Sequence, residues 1–253
     1  MSADPTKRFT ERVDNYVKYR PGYPDEVITF LQKECGLTSK SVIADIGSGT
    51  GIFTRILLDK GFKVYAIEPN QAMQQAARQW LGSNKNYTPI DAAAEATTLT
   101  PKSIDLIVCA QSFHWFNDER TRAEFKRILK DGRFVALIWN NRLIDVDEFS
   151  KAYEDLLKKD SIDYNKVNHR NVNDIDFKAF FKDKEYKKVI YPNAQEFDWQ
   201  GLIGRAFSSS YVPPQNTDAG KKFQQLLQDA FAKYNTKGKV NFHYQTEIYI
   251  GRV

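Results

Sequence analysis

The 253-residue sequence predicts an α/β protein whose mostly parallel, seven-stranded sheet is covered by helices on both faces. Three observations predict this class. Short, strongly apolar runs alternate with helix-like stretches through the first half of the chain, as in parallel sheets. One of these runs leads into a glycine-rich turn that opens a helix. The composition, 42% hydrophobic and 27% charged, is typical of a globular chain with a sizeable core.

The predicted elements of the first half mostly alternate between strands and helices. The strands cover 41–46, 63–67, 86–90, 104–110 and 134–139, and the helices cover 52–60, 70–81 and 118–129. Branched apolar residues are frequent in the strands, and each helix carries apolar residues on one side. Asp131 and Gly132 predict a turn before the fifth strand.

The second half of the chain does not show this alternation of strands and helices. Helices are predicted over 145–159 and 219–234, and strands over 186–191 and 239–250. Residues 199–207 predict a further helix, rich in aromatic residues, within an insertion over the main domain. Because the last strand alternates apolar and polar residues and is long, we expect it to close the sheet as an antiparallel edge.

Charge and composition argue against several classes of protein. Residues 1–140 carry 19 Lys and Arg against 16 Asp and Glu, and residues 141–253 carry 18 against 16, so the excess forms no basic arm. No nucleic-acid partner is therefore expected. Two cysteines and three widely spaced histidines predict neither a disulfide framework nor a metal site. No apolar run approaches a membrane span and no signal peptide is recognisable, so we expect a cytoplasmic protein without a membrane partner.

The sharpest motif is the segment Asp45–Gly51, D-I-G-S-G-T-G, which joins the first strand to the next helix. Its loop consists of Gly47, Ser48, Gly49, Thr50 and Gly51. Glycine lets a ligand approach the backbone, and a helix start offers free N–H groups. The strand–turn–helix context therefore predicts a nucleotide-binding loop.

Glu68 follows the second strand, within the interval at which an acidic residue binds the ribose of such a ligand. Two nucleotide classes share this geometry. Dinucleotide-binding loops need a glycine or alanine at the position that Ile52 occupies. Asp45, two residues before the first glycine, would repel a pyrophosphate but would attract a ligand with an ammonium group.

The segment Asp45–Gly51 resembles motif I of the class I S-adenosylmethionine-dependent methyltransferases. The likeness covers residues 9–140 and includes the runs Glu68-Pro69-Asn70 with Met73, Ala93-Ala94-Glu95, and 111–116. It implies a Rossmann-like fold with a helical cap insertion, and S-adenosyl-L-methionine as the cofactor. The implied cofactor-binding residues are Arg20, Asp45, Gly47, Ser48, Gly49, Thr50, Gly51, Glu68, Pro69, Met73, Ala93, Ala94, Glu95, Ala110 and Gln111. The family often has an acidic residue where this sequence has Ala93, so only a backbone contact is expected there.

Within this family, the segments 9–24, 114–116 and 199–213 resemble the small-molecule branch that contains the trans-aconitate methyltransferases. This likeness implies a small-molecule acceptor. The substrate-binding candidates are Tyr16, Tyr19, Trp115, Asn140, Arg142 and Arg205, with Tyr211 as a further candidate. His114 is the catalytic candidate, either as a general base or as a residue that orients its loop. Because arginine can grip a carboxylate through paired hydrogen bonds, a carboxylate acceptor is our hypothesis.

We expect a single domain over 1–253. It contains an N-terminal lid or helical extension over 1–40, a cofactor-binding core over 41–140, a helical cap on the substrate side over 141–235 that includes the sixth strand, and a closing strand over 236–253. The predicted function is methyl transfer from S-adenosylmethionine to a small molecule. Two alternatives stay open: a nicotinamide-dependent oxidoreductase, and a non-catalytic cofactor-binding protein on the same fold. The sequence does not predict the oligomeric state.

Overall fold

A computed structural model describes residues 17–116, 118–162, 164 and 174–253. Its centre is a seven-stranded sheet with the order β3-β2-β1-β4-β5-β7-β6. The strands are β1 (Val42–Ile46), β2 (Lys63–Ile67), β3 (Tyr87–Ile90), β4 (Ile104–Ala110), β5 (Leu129–Arg142), β6 (Tyr186–Phe197) and β7 (Val240–Gly251). Strands β1 to β5 are parallel, whereas β7 runs antiparallel to both β5 and β6. The predicted seven-stranded, mostly parallel sheet is confirmed.

Most of the helices follow a side chain that accepts a backbone N–H group of the first turn. The helices are α1 (Asp25–Cys35), α2 (Ile52–Asp59), α3 (Gln71–Leu81), α4 (Glu119–Ile128), α5 (Glu148–Asp160), α6 (Asp174–Phe180), α7 (Trp199–Phe207) and α8 (Asp218–Tyr234). Asn70, Asp118 and Asp147 cap α3, α4 and α5. The predicted starts of these three helices were too early, because the capping residue was counted as part of each helix. At α5 the prediction also included the two residues before the cap. Among the described helices, none combines the length and apolarity needed to cross a bilayer.

Two apolar clusters cover the two faces of the sheet, because successive strand residues point to opposite faces. On one face, Ile43 and Leu106 of the sheet pack against α1, α2 and α3. On the other face, Ala44 and Ile107 pack with α4 and α6. Helices on both faces are therefore confirmed.

A third apolar cluster forms the cap above the sheet. Helices α5, α7 and α8 pack around the first residues of β7, among them Phe242. The side chains of Phe242 and Phe149 stack with their ring centroids 5.8 Å apart. Strand β7 therefore contributes to two apolar clusters: Ile248 and Ile250 pack in a cluster of the sheet, and Phe242 packs in the cluster of the cap.

Two sequence predictions about the strands were wrong. The last strand, β7, is not an edge, because it pairs along its length with both β5 and β6, and β6 forms the edge. Asp131 and Gly132 do not form a turn before β5. They lie inside it, where the pairing jumps from Ile104–Leu129 to Leu106–Phe134. The extra residues form a bulge, in which Gly132 has φ +71°.

Candidate active site

A cavity of about 390 Å³ opens at the carboxyl ends of β1, β2, β4 and β5. The strand order reverses between β1 and β4, which is where open α/β sheets bind ligands. The loop after β1, the residues after β2, the loop after β4, the N-terminal segment at 20–23 and the cap all contribute to its wall. The cavity therefore joins the predicted cofactor segments to the cap.

Gly49 is the glycine of the β1–α2 loop that faces open space. It has φ +56°, and no atom lies within 4 Å of where a Cβ would be. Gly51 serves packing instead, because a Cβ there would lie 2.5 Å from Leu81 Cδ1 in α3. Gly47, Ser48, Gly49 and Thr50 line the cavity. Gly51, which is also predicted to bind the cofactor, does not line the cavity, because it is the N-cap residue of α2 and lies against α3.

Glu68 holds the loop in place with both of its carboxylate oxygens. Its Oε2 accepts the Gly49 N–H at 2.8 Å, and its Oε1 accepts the Asn70 N–H at 2.8 Å. Burial raises the pKa of this carboxyl, and the two backbone donors oppose that rise. Each oxygen keeps a further acceptor site. Glu68 can therefore accept the two hydroxyls of a ribose while it fixes the loop.

We expect Glu68→Ala to weaken cofactor binding more than it destabilises the fold. The loss of two hydrogen bonds to a charged acceptor costs about 1.5–3 kcal/mol, which is roughly a tenfold to hundredfold loss of affinity. Calorimetric titration with S-adenosylhomocysteine measures the affinity, and thermal unfolding measures the fold. An unchanged dissociation constant in a folded variant would remove the ribose assignment.

Asp45 lies beneath the loop with only 1% of its surface exposed. Its Oδ2 accepts the Thr54 hydroxyl at 2.6 Å. Within the described part of the chain, its buried Oδ1 has no hydrogen-bond partner. Burial raises the pKa of Asp45 to about 7. A buried acceptor at the cavity wall fits the ammonium group of an amino-acid moiety, directly or through water.

Cofactor affinity should rise with pH through about 7, because an ammonium group favours ionised Asp45. Without ligand the raised pKa keeps this carboxyl protonated below about 7, and binding must then displace the proton. The dissociation constant of S-adenosylhomocysteine should fall about tenfold between pH 6 and pH 8. Asp45→Asn keeps an acceptor for Thr54 but cannot ionise, so its profile should be flat over that range. A wild-type profile matching that of the variant would contradict the assignment.

The predicted adenine contacts lie together at one end of the cavity. Pro69, Met73, Ala93, Ala94 and Glu95 line it. Met73 and Ala94 are buried, and the Asn70 side chain accepts the Met73 N–H at 3.0 Å. This end therefore joins an apolar surface to backbone polar groups, as a purine requires.

The loop after β4 carries Ala110, Gln111, His114 and Trp115 to the cavity. Gln111 has φ +62° and donates its backbone N–H to the Ile138 carbonyl at 2.8 Å. Ser112 Oγ donates to the Ile46 carbonyl at 2.6 Å, which ties the loop to β1. The rings of His114 and Trp115 lie 4.7 Å apart in a single turn of 3₁₀ helix. All four of these candidates thus reach the site.

Three arginines line the cavity: Arg20, Arg142 and Arg205. The cofactor-binding role of Arg20 stays a prediction. Arg20 donates to the Ser208 carbonyl at 3.0 Å, which joins the N-terminal segment to the cap. Arg142 forms an ion pair with Glu154 at 2.6 Å, and both side chains are buried. The substrate role predicted for Arg142 is therefore weakened, because its charge is already matched.

Arg205 differs from Arg142 in its partners. It is 5% exposed and donates to Tyr244 Oη at 3.4 Å and to Ser209 Oγ at 3.1 Å, which are both neutral oxygens. Among the residues that the structure describes, no carboxylate forms an ion pair with it. Tyr244 lines the cavity but was missed, because its position depends on the pairing of β7 with distant strands.

Three further substrate candidates have other outcomes. Tyr19 does not line the cavity, because its ring packs on α7, where a Cβ on Gly204 would lie 2.0 Å from it. Asn140 lines the cavity, but its amide donates to the Gly22 carbonyl at 3.0 Å and accepts the Thr246 hydroxyl at 2.5 Å. It therefore braces the N-terminal segment. Tyr16 lies outside the described residues.

The chain is similar to known methyltransferases in sequence and in fold. The family model of a methyltransferase domain matches residues 44–137. An uncharacterized methyltransferase of Geobacillus sp. is 30% identical over 160 residues, which are 58% of this chain and 72% of that protein. An uncharacterized methyltransferase-like protein of Schizosaccharomyces pombe is 33% identical over 140 residues, 54% of this chain and 52% of that protein. The chain thus matches about half the length of such curated relatives.

Solved structures share the fold. A type II methyltransferase structure from Anaeromyxobacter dehalogenans has a TM-score of 0.67 and 21% identity, over 92% of this chain and 98% of that chain. An S-adenosylmethionine-dependent methyltransferase from Thiobacillus denitrificans, solved with S-adenosylhomocysteine, has a TM-score of 0.54 and 15% identity over the full length of both chains. Sequence and fold agree, and the chain belongs to the type 11 methyltransferase family, within the class I S-adenosylmethionine-dependent methyltransferases.

Proposed function

We propose that this protein transfers a methyl group from S-adenosylmethionine to a small anionic molecule, with a carboxylate as the methyl acceptor. Family membership supports the donor. The observation that carries the acceptor class is Arg205, a buried guanidinium that lines the same cavity as the glycine loop and forms no ion pair with a described carboxylate.

Charge divides the cavity into two ends. Asp45, Glu68 and Glu95 line the cavity, and Glu68 contacts the glycine loop. Arg20 and Arg205 donate to Ser208 and Ser209 in the cap, and Arg142 donates to Tyr164, which packs on Tyr211. The acidic end suits a donor that carries a sulfonium and an ammonium group. The Oδ1 of Asp45, which has no hydrogen-bond partner among the described residues, and the space at Gly49 fit the amino-acid part of that donor. Arg20 can pair with the carboxylate of the donor, and Arg142 is paired with Glu154, so Arg205 is left for an acceptor of negative charge.

Burying a charge without a counter-ion is costly, so a buried arginine beside a cavity favours an anionic ligand. The Nε and Nη1 atoms of Arg205 donate to Tyr244 and Ser209. Its Nη2 donates to none of the described residues. That atom can donate to a carboxylate oxygen, and a charge-assisted hydrogen bond of this kind is stronger than a neutral one.

When bound, the donor supplies a methyl group that its sulfonium already activates. The protein's own contribution is alignment of the acceptor and exclusion of water from the cavity. A carboxylate is ionised at neutral pH, so no side chain has to remove a proton from it. His114 therefore acts as a wall of the cavity in this proposal, although its position would also suit a base for a hydroxyl or amine acceptor.

A methyl-transfer screen tests the proposal. The protein is incubated with S-adenosylmethionine and a panel of small carboxylic acids, with the matching alcohols, amines and phenols in parallel, and products are detected by mass spectrometry. We expect methyl esters from one class of acids. Products from alcohols, amines or phenols alone would contradict the carboxylate acceptor. Absence of any product, together with absence of donor binding, would contradict methyl transfer and favour the non-catalytic alternative.

His114→Gln separates the two roles of the histidine. With a carboxylate acceptor we expect the variant to keep most of its turnover number, because no proton has to be removed. If His114 were a general base, its loss should lower the turnover number about a hundredfold or more. Steady-state kinetics on the acceptor found by the screen gives the answer, and thermal unfolding of the variant verifies that its packing is intact.

A further inference from the structure

Tyr211 stands beside Arg205 in the basic end of the cavity. It follows the Ser208–Ser210 turn after α7 and lines the cavity. Its backbone carbonyl accepts the Ile162 N–H at 2.6 Å, and its ring meets the edge of Tyr164 with centroids 4.9 Å apart. The segment that follows α5 therefore contacts both the backbone and the ring of Tyr211.

Two of the neighbouring tyrosines donate their hydroxyl protons to other side chains, and a third lies outside the cavity lining. Tyr164 donates to Glu154 Oε2 at 2.8 Å, and Tyr244 donates to Gln195 Oε1 at 3.0 Å. Tyr153 lies beneath the wall of the cavity and does not line it. Among the described tyrosines around Arg205, Tyr211 thus combines a place in the cavity wall with a proton that no described side chain accepts.

The surroundings make Tyr211 a strong donor toward an anion. Burial raises the pKa of its phenol, but Arg205, Arg20, a hydrogen bond from Ser209 and Arg142 together lower it below its ordinary value. Burial raises the pKa of Tyr153 and Tyr164 instead. A more acidic hydroxyl donates a stronger hydrogen bond to a carboxylate.

We propose that the hydroxyl of Tyr211 and Nη2 of Arg205 form one anion-binding site, in which each donates to one oxygen of the acceptor carboxylate. This inference rests on the proposed function and adds a specificity-determining residue to it. Two donors from different elements select a planar, two-oxygen anion over a neutral acceptor of the same shape. The site takes carboxylates and disfavours the corresponding amides, whose NH2 group would face one of the two donors.

Acetate is the probe that tests this site, because it is a carboxylate without other functional groups. Nuclear magnetic resonance of carbon-labelled acetate measures its dissociation constant on protein saturated with S-adenosylhomocysteine. We expect Tyr211→Phe to bind acetate about ten times more weakly than the wild type, since one hydrogen bond to a charged group is lost. Tyr153→Phe is the matched control, and it should bind acetate like the wild type. Acetamide should not compete with acetate.

Arg205→Gln distinguishes a wrong role for Tyr211 from a wrong anion site, and the affinity for S-adenosylhomocysteine is the control. If Arg205→Gln weakens acetate binding but Tyr211→Phe does not, the role of Tyr211 is wrong and the proposed acceptor class stands. If the wild type does not bind acetate, or if neither variant differs from it, the anion site itself is wrong. Equal affinity of all variants for S-adenosylhomocysteine verifies that the cavity is intact.

Discussion

Gly49→Val is expected to abolish binding of S-adenosylmethionine while the protein still folds. The valine side chain would project into the space above the loop, where no protein atom lies within 4 Å of the new Cβ. It would also disturb the N–H of residue 49, which Glu68 accepts. A β-branched residue at φ +56° adds strain of about 1–2 kcal/mol. Calorimetric titration with S-adenosylhomocysteine measures the loss, which should exceed a hundredfold.

Gly36→Val is the matched control for backbone strain. Gly36 follows α1, has φ +59°, and likewise has no atom within 4 Å of the position that a Cβ would take, but it does not line the cavity. Both variants should lose similar stability in thermal unfolding, and only Gly49→Val should lose the ligand. Normal binding by a folded Gly49→Val protein would place the donor somewhere other than this loop.

Arg205→Met is expected to raise the Michaelis constant for the acceptor about a hundredfold or more. The variant removes the buried positive charge that the acceptor would neutralise, while the methionine keeps much of the side-chain volume. Its stability should change little, since Arg205 has no described carboxylate partner to leave behind. Affinity for S-adenosylhomocysteine should be unchanged, because the donor lies at the acidic end.

Arg142→Met is expected to differ from Arg205→Met, because it should lower the stability of the fold. Among the described residues, its loss leaves the buried Glu154 with Lys158, at 3.6 Å, and the Tyr164 hydroxyl. We expect it to destabilise the fold by up to about 3 kcal/mol. Thermal unfolding together with acceptor kinetics distinguishes the two arginines. If Arg205→Met unfolds the protein and Arg142→Met does not, Arg205 is the arginine needed for stability, which contradicts the roles given to the two residues.

The donor end could be predicted from sequence because its chemistry is local. Asp45, the loop and Glu68 stand at fixed distances along adjacent strands and turns, so their positions follow once the strands are recognised. Ser112 was not predicted, because its bond to the Ile46 carbonyl joins two strands that are distant in sequence.

The acceptor end could be predicted only as a set of candidates. Which of Arg142 and Arg205 pairs with a described carboxylate depends on where α5 places Glu154, and no local sequence pattern predicts that packing. Tyr19 was predicted to bind substrate as an aromatic residue of a lid. The absence of a side chain at Gly204 lets it pack on α7 instead. The position of Tyr244 depends on the register of β7 between β5 and β6.

A crystal structure of the protein with S-adenosylhomocysteine and the acid found by the methyl-transfer screen tests the central claim most directly. We expect the ribose hydroxyls to contact Glu68, and we expect the carboxylate of the acid to lie within hydrogen-bond distance of Arg205 Nη2. We also expect this carboxylate to face the sulfur atom from the basic end of the cavity. A carboxylate bound away from Arg205, or a nucleoside bound away from Glu68, would contradict the account.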